Sequence, residues 1–117
     1  MQFEGIYTPL VTPYHDDFSL NEAALVETVE HLIAAGVHGI VVAGSTGEYY
    51  AQTPEERLEM MTRCAGLING RVPMVTGTGA IRTEDSIMYA KAAKAAGADA
   101  LLVATPPYAY PTGREIA

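Results

Sequence analysis

The stretch GIVVAGSTGE, residues 39–48, joins an apolar run to a tight turn that carries two hydroxyl side chains between two glycines. The run 39–43 lacks polar alternation, which is typical of a strand buried on both faces of a parallel sheet. A turn with Ser45 and Thr46 at the end of such a strand can present hydroxyl and backbone N–H donors to a small anion. The same hydroxyls also suit a simple turn, in which they bond to nearby backbone groups.

Further apolar runs alternate with helical patterns along the chain. Strands are predicted near residues 6–11 and at residues 39–43, 73–76 and 100–104. Helical patterns fill the three intervals between them, and their predicted ends are Gly36, Asn69-Gly70 and Gly97. This alternation predicts right-handed βαβ units and a parallel sheet, so the fold class is α/β.

The predicted helices begin at residues with capping side chains. Ser19 has capping-box spacing to Glu22 at the start of the first helix, and Thr83 opens the third. The second helix has the stronger start, because Thr53 is followed by a proline at the first helical position. The apolar face of this second helix is predicted to consist of Leu58, Met61, Ala65 and Ile68.

Four strands of this kind fit two architectures. One is the amino-terminal half of an eight-stranded (β/α)8 barrel, a fold that usually needs about 250 residues. The other is a small doubly wound sheet. At 117 residues the chain can bury one modest core, so we expect a single partial domain over residues 1–117. In both architectures the chemistry lies at the carboxyl ends of the strands, an edge that we call the rim.

The composition argues against several classes of function. A net charge of −7 argues against nucleic acid and against an anionic membrane surface as partners, since both select for basic patches. No apolar run approaches the roughly 20 residues of a membrane-spanning helix, and residues 1–5 do not resemble a signal peptide. Cys64 is the only cysteine, so no disulfide framework is expected and a reduced, cytoplasmic location is predicted.

Hydroxyl and phenol side chains gather at the predicted rim, whereas lysine and arginine are scarce there. The rim segments follow the four strands and lie at residues 8–14, 44–48, 77–79 and 105–111. Such an edge suits a small polar organic substrate. Nucleotide binding fits poorly, because Arg82 stands where G-x-G-x-x-G needs its third glycine and no G-K-[ST] follows Gly47.

Other reactive side chains give weaker signals. Glu48 could act as a general base or could brace the turn. The three histidines are dispersed, which argues against a metal site or a catalytic triad: His15, His31 and His38. Packing rather than chemistry is expected of Cys64, Tyr49, Tyr50 and Tyr89. The only two lysines, Lys91 and Lys94, lie on the third helix and are expected to face solvent.

Taken together, these features resemble the dihydrodipicolinate synthase / N-acetylneuraminate lyase family of (β/α) barrels. The resemblance runs from near residue 3 to the end of the chain, and its most specific part is residues 39–48, followed by Glu56 at the family's spacing. GIYTPLVTP at residues 5–13 is similar to the family's first strand, and TPPY at residues 105–108 to its fourth strand end. Tyr49 and Pro107 depart from the family's usual residues.

The resemblance implies a function and roles for the rim residues. It implies a 2-oxo acid substrate, usually pyruvate, that forms a Schiff base with a lysine, and it implies no cofactor. Ser45, Thr46 and Gly47 would bind the substrate carboxylate, and Thr46 would also join a proton relay. Tyr108 matches a tyrosine that dimers of the family insert into the neighbouring subunit's site. A homo-oligomer is therefore expected, a dimer or tetramer in the complete enzyme.

The family's Schiff-base lysine is expected outside residues 1–117, because it follows the sixth strand of the barrel. Lys91 and Lys94 match neither its motif nor its position, and an amine in solvent is protonated at neutral pH and a poor nucleophile. We therefore expect an amino-terminal portion of a lyase that is inactive alone, and oligomeric or marginally folded because of its unpaired strand edges. The alternatives are a stand-alone doubly wound small-molecule binding module without catalysis and a truncated product.

Overall fold

The structure is a computed structural model that describes residues 3–105 and 111–116, without the side chain of Ile116. Strands and α-helices alternate through it. The elements in chain order are β1 (Tyr7–Pro9), α1 (Glu22–Ala34), β2 (Gly39–Val42), α2 (Pro54–Ile68), β3 (Met74–Gly77), α3 (Thr83–Ala96), β4 (Ala100–Leu102) and α4 (Gly113–Ile116). Two short 3-10 turns, Ser45–Gly47 and Tyr49–Ala51, lie between β2 and α2. The predicted α/β alternation is therefore confirmed.

The four strands form one parallel sheet in the order β1-β2-β3-β4. Ile40 lies beside Met74, and Val75 lies beside Ala100, so each strand is in register with the next one along the chain. Successive strands are neighbours in this way in a (β/α)8 barrel, whereas a doubly wound sheet reverses its strand order at a switch point. The doubly wound alternative is therefore wrong for the strands that the structure describes.

The hydrophobic core lies between the sheet and the helices α1, α2 and α3. Its principal buried side chains are Leu10, Leu25, Val29, Ile40, Val42, Met60, Met61, Cys64, Ile68, Met74, Tyr89 and Ala93. Cys64 is fully enclosed, and burial raises the pKa of its thiol to about 12, so it packs as a small apolar residue, as predicted. No helix in the described part of the chain combines the length and apolar character needed to cross a membrane.

The start of α1 differs from the sequence prediction. The N-cap is Asn21, whose side-chain oxygen accepts a hydrogen bond from the backbone N–H of Ala24 at 3.0 Å. Ser19 lies two residues earlier and bonds to the carboxylate of Asp17 instead, through its backbone N–H and its hydroxyl. Sequence spacing alone could not separate the two caps, because Asn21 is as good a capping residue as Ser19.

The start of α2 agrees with the prediction. Thr53 and Glu56 form a reciprocal capping box, with Pro54 in the first turn. The buried face of α2 is rotated slightly from the predicted one: Met61 and Ile68 are buried as expected, whereas Leu58 and Ala65 are only partly buried. The fully buried positions also include Arg57, Met60 and Cys64.

The burial of β4 is the clearest difference from the expectation. Its run of apolar residues predicts a strand covered on both faces, but Leu101 and Leu102 are 42% and 49% exposed. The reason is position in the sheet, because β4 pairs only with β3 among the described strands. An apolar edge strand of this kind is a site at which further chain can pair.

We expect the substitution Asn21→Ala to lower the free energy of unfolding by about 1 kcal/mol, because it removes the side chain that caps α1. Ser19→Ala is the matched control and should cost less than about half of that, since its bonds to Asp17 are on the surface. Urea unfolding of both variants followed by circular dichroism measures the difference. A larger loss in the Ser19 variant would contradict the observed cap.

Candidate functional site

The GSTGE segment, which we call the 44–48 loop, lies at the carboxyl end of β2 and thus at the rim. The backbone N–H of Gly47 bonds to the carbonyl of Gly44 at 3.1 Å, and that of Glu48 bonds to the carbonyl of Ser45 at 3.0 Å. These two bonds close a 3-10 turn in which Gly47 is buried while Ser45 and Thr46 are exposed. The loop therefore turns its two hydroxyl-bearing residues outward and its second glycine inward.

The 44–48 loop is bounded by two strained residues. Ala43 has a φ of 53° and Glu48 a φ of 56°, and both lie in the left-handed region that favours glycine. A non-glycine residue in this conformation costs about 1–2 kcal/mol. Strain of this kind persists only when the surrounding structure enforces it, and it is concentrated at functional sites.

The outward side of the loop offers several hydrogen-bond donors. In the described part of the chain, the hydroxyls of Ser45 and Thr46 have no hydrogen-bond partner, and neither do the backbone N–H groups of these two residues. Donors grouped at the start of a helical turn are suited to an anion with several acceptor oxygens. A carboxylate has this chemistry.

A polar network holds the inward side of the loop. Thr12, in the segment after β1, donates its hydroxyl proton to the carbonyl of Gly47 at 2.8 Å. The side-chain amide of Gln52 lies 3.2 Å from the Thr12 hydroxyl and 3.3 Å from the phenol oxygen of Tyr14, and it donates to both. The segments after β1 and β2 are thereby joined at the rim, which the sequence pattern predicted only in outline.

The end of β3 packs directly against the base of the 44–48 loop. Gly77 approaches so closely that a Cβ on it would lie 2.1 Å from the carbonyl oxygen of Ala43. On either side of Gly77, Thr76 and Thr78 are fully buried, and their hydroxyls have no partner among the residues that the structure describes. Only glycine fits at position 77 without moving the backbone that leads into the loop.

Arg57 of α2 is the site residue that the sequence analysis missed. Its side chain is buried, and its guanidinium carbon lies over the rings of Tyr49 and Tyr89, 4.5 Å and 4.1 Å from their centroids. It donates to the carbonyls of Gly77 and Gly79 at 2.8 Å and 3.1 Å. Burial lowers the pKa of this guanidinium from its ordinary value. The available signal was helical phase, since Arg57 precedes Met61 and Cys64 on the buried stripe.

The other predicted residues are distributed as follows. Tyr108 lies outside the described residues. Glu48 is exposed, and its carboxylate has no hydrogen bond or ion pair to the described part of the chain. Tyr89 is buried as expected, but Tyr50 is 70% exposed and its ring meets that of Tyr49 at a steep angle. The expectation of packing was therefore wrong for Tyr50.

The histidines and lysines make no hydrogen bond or ion pair to the 44–48 loop in the described part of the chain. His38 accepts a hydrogen bond from the backbone N–H of Ile6 at the amino ends of the strands, opposite the rim. Lys91 and Lys94 are exposed on α3, as predicted. Within residues 3–105 and 111–116 there is no group of three or more side chains suited to hold a metal ion.

Comparison with known proteins gives a family match over nearly the whole chain. Residues 2–117 match the dihydrodipicolinate synthetase family. A 4-hydroxy-tetrahydrodipicolinate synthase of Methanoculleus marisnigri is 40% identical over 111 residues, which cover 93% of this chain and 38% of that protein. The chain therefore spans less than two-fifths of the length of this relative.

Solved structures agree in fold. The 4-hydroxy-tetrahydrodipicolinate synthase of Methylacidiphilum fumariolicum SolV superposes with a TM-score of 0.93 at 30% identity, covering 98% of this chain and 38% of that one. YagE, a prophage protein of the dihydrodipicolinic acid synthase family from E. coli K12 solved in complex with pyruvate, gives 0.91 at 31% identity, with 96% and 38% covered. These relatives are (β/α)8 barrels, and the four strands here correspond to an amino-terminal half.

We expect Thr12→Val to lower the free energy of unfolding by about 1–3 kcal/mol, because it leaves the carbonyl of Gly47 without its donor and removes one of the two hydrogen bonds of the Gln52 amide. Thr8→Val is the matched control, since Thr8 is a half-buried threonine of β1 with no side-chain hydrogen bond to the described residues. Equal effects of the two substitutions in urea unfolding would contradict the role of Thr12 in holding the loop.

Proposed function

The chain belongs to the dihydrodipicolinate synthetase family, and on that premise we propose that it forms the carboxylate-binding portion of a lyase that acts on pyruvate or a related 2-oxo acid. The observation that carries this proposal is the set of unpartnered donors on the 44–48 loop. Because the chain spans only 38% of the Methanoculleus relative, the activity of the whole protein is part of the proposal.

Ser45 and Thr46 supply the donors for the substrate carboxylate in this proposal, and Gly47, whose N–H is already bonded to the carbonyl of Gly44, closes the turn that presents them. Two hydroxyls and two backbone N–H groups can each donate to a carboxylate oxygen, and hydrogen bonds to an ionised acceptor are stronger than those between neutral groups. The strained residues on both sides of the loop fix these donors before the ligand arrives, so little ordering is required on binding. The pyruvate bound in the YagE structure is a ligand of this chemical class.

Thr46 has a second role in the proposal, as a catalytic residue. Its hydroxyl can accept one proton while it donates its own, which is the property that a relay requires. The relay would continue through Tyr108 of a second copy, so the active assembly is a homo-oligomer. The family resemblance supplies these two roles. No cofactor is needed, because a lysine imine itself withdraws electrons from the substrate.

We propose that the imine-forming lysine lies outside these 117 residues. Lys91 and Lys94 are the only lysines of the sequence, and both project from α3 into solvent. An imine-forming amine needs an environment that favours its neutral form, which burial in an apolar pocket or a neighbouring cation provides. The chain alone is then a binding half without turnover, and a cytoplasmic location remains a prediction from the single cysteine.

We expect pyruvate to shift the amide resonances of Ser45, Thr46 and Gly47 in ¹H–¹⁵N spectra of the chain, with a Kd on the order of millimolar. Thr46→Val keeps the side-chain volume and removes the hydroxyl, so it should weaken binding about tenfold. Thr62→Val, at an exposed position on α2, is the matched control and should bind pyruvate like the parent chain. Pyruvate-induced shifts confined to other parts of the chain would contradict the carboxylate role.

We expect no covalent adduct when the chain is incubated with pyruvate and reduced with borohydride. Intact-protein mass spectrometry should give the unmodified mass for the parent and for a Lys91→Arg/Lys94→Arg double variant alike. A reduced adduct that appears in the parent and disappears in the double variant would overturn the assignment of the lysine to a segment outside these residues.

A further inference from the structure

We propose that Arg57 is a positioning residue that clamps the 44–48 loop from both of its ends. Its effect on the loop is independent of any ligand, and only its consequence for pyruvate rests on the proposed function. The environment of Arg57 is unusual, because its side chain is 3% exposed and makes no ion pair with any carboxylate of the described residues.

A buried guanidinium without a carboxylate partner is costly, because burial removes its hydration without a neutralising charge. The side chain is stabilised instead by two carbonyl oxygens and two aromatic faces. An apolar side chain of similar length would fill the same space without this cost. Core stability therefore does not explain an arginine at this position, whereas the two carbonyls and two rings that its guanidinium connects do.

One arm of the clamp acts at the start of the loop. Nη2 of Arg57 donates a hydrogen bond to the carbonyl of Gly77. The backbone of Gly77 in turn is in contact with the carbonyl of Ala43. Ala43 is the strained residue from which the 44–48 loop departs. By holding the end of β3 in place, Arg57 fixes the surface against which the loop begins.

The other arm acts where the loop ends. The guanidinium carbon lies over the ring of Tyr49, the residue that directly follows Glu48. The guanidinium also lies over the ring of Tyr89 of α3, so a movement of this group would disturb a second aromatic contact. Both strained ends of the loop are therefore connected to one side chain.

Arg57→Lys separates this clamp from a simple effect of charge. Lysine keeps the positive charge but loses the planar fork that reaches two carbonyls and contacts two rings. We expect amide hydrogen exchange at Gly47 and Glu48 to become about tenfold faster relative to the core amide of Ile40. Pyruvate binding should weaken by a similar factor. Arg63→Lys makes the same chemical change at a surface position of α2 and should alter neither quantity.

The outcomes are distinct. Unchanged amide hydrogen exchange at Gly47 and Glu48 in Arg57→Lys overturns the clamp. If pyruvate binding is also unchanged in this variant, the positive charge is the only role left for Arg57. If the parent chain does not bind pyruvate but amide exchange in the loop is faster in Arg57→Lys, the clamp is supported and the proposed function is contradicted. Should Arg57→Lys fail to fold, Tyr49→Leu decides, since it removes the aromatic contacts of the loop end, with Arg57 and with Tyr50, and none of the hydrogen bonds of Arg57. Faster amide exchange at Glu48 in Tyr49→Leu than in the parent chain, with unchanged exchange at Ile40, then supports the clamp. An exchange rate at Glu48 equal to that of the parent chain overturns it.

Discussion

The close approach of Gly77 to Ala43 is the constraint on which the rest of the rim depends. Parallel pairing of β2 and β3 brings Val42 beside Thr76, and one residue later the two backbones are too close for any side chain at position 77. Ala43 turns into the left-handed region at this point, and the 44–48 loop begins. The conformation of the loop is therefore determined by a neighbouring strand as well as by its own glycines.

In the described part of the chain, buried polar atoms without hydrogen-bond partners lie towards the rim, whereas the apolar side chains that stabilise the fold lie towards the opposite ends of the strands. The amino-terminal halves of the strands pack apolar side chains such as Ile40 and Met74 against the helices. Towards the rim, the hydroxyls of Thr76 and Thr78, the Nε of Arg57 and the Oε1 of Gln52 are buried without partners among the described residues. Each such group reduces stability. A group of buried polar atoms without hydrogen-bond partners is expected at a functional site rather than in a purely structural core.

Features that depend on local sequence could be predicted, and features that depend on tertiary position could not. The capping box of Thr53 was predictable because a cap, a proline and a glutamate follow one another within four residues. The cap of α1 was assigned wrongly to Ser19, because Asn21 offers an equivalent signal two residues away. The exposure of Leu101 could not be read from an apolar run, since it follows from the place of β4 in the sheet.

The same distinction explains the candidate site. The position of the 44–48 loop at the rim follows from a strand pattern that ends in GSTGE. The two residues whose carbonyls accept hydrogen bonds from Arg57 lie 20 and 22 positions away in sequence, so no local pattern connects them to it. Helical phase could have placed Arg57 on the buried stripe of α2, but an arginine is normally excluded from such a stripe.

The net charge of −7 does not conflict with the proposed carboxylate site at this rim, because short-range donors rather than net charge control such a site. Surface charges are screened over roughly 8 Å at physiological ionic strength. Several acidic residues are already neutralised locally, as Glu30 is by Arg71 and Glu59 by Arg63. Hydrogen bonds from hydroxyl and backbone N–H groups act at contact distance and are little affected by distant charge. Arg57 makes no ion pair with a carboxylate of the described residues, so its positive charge, unlike those of Arg63 and Arg71, is not neutralised by a direct contact.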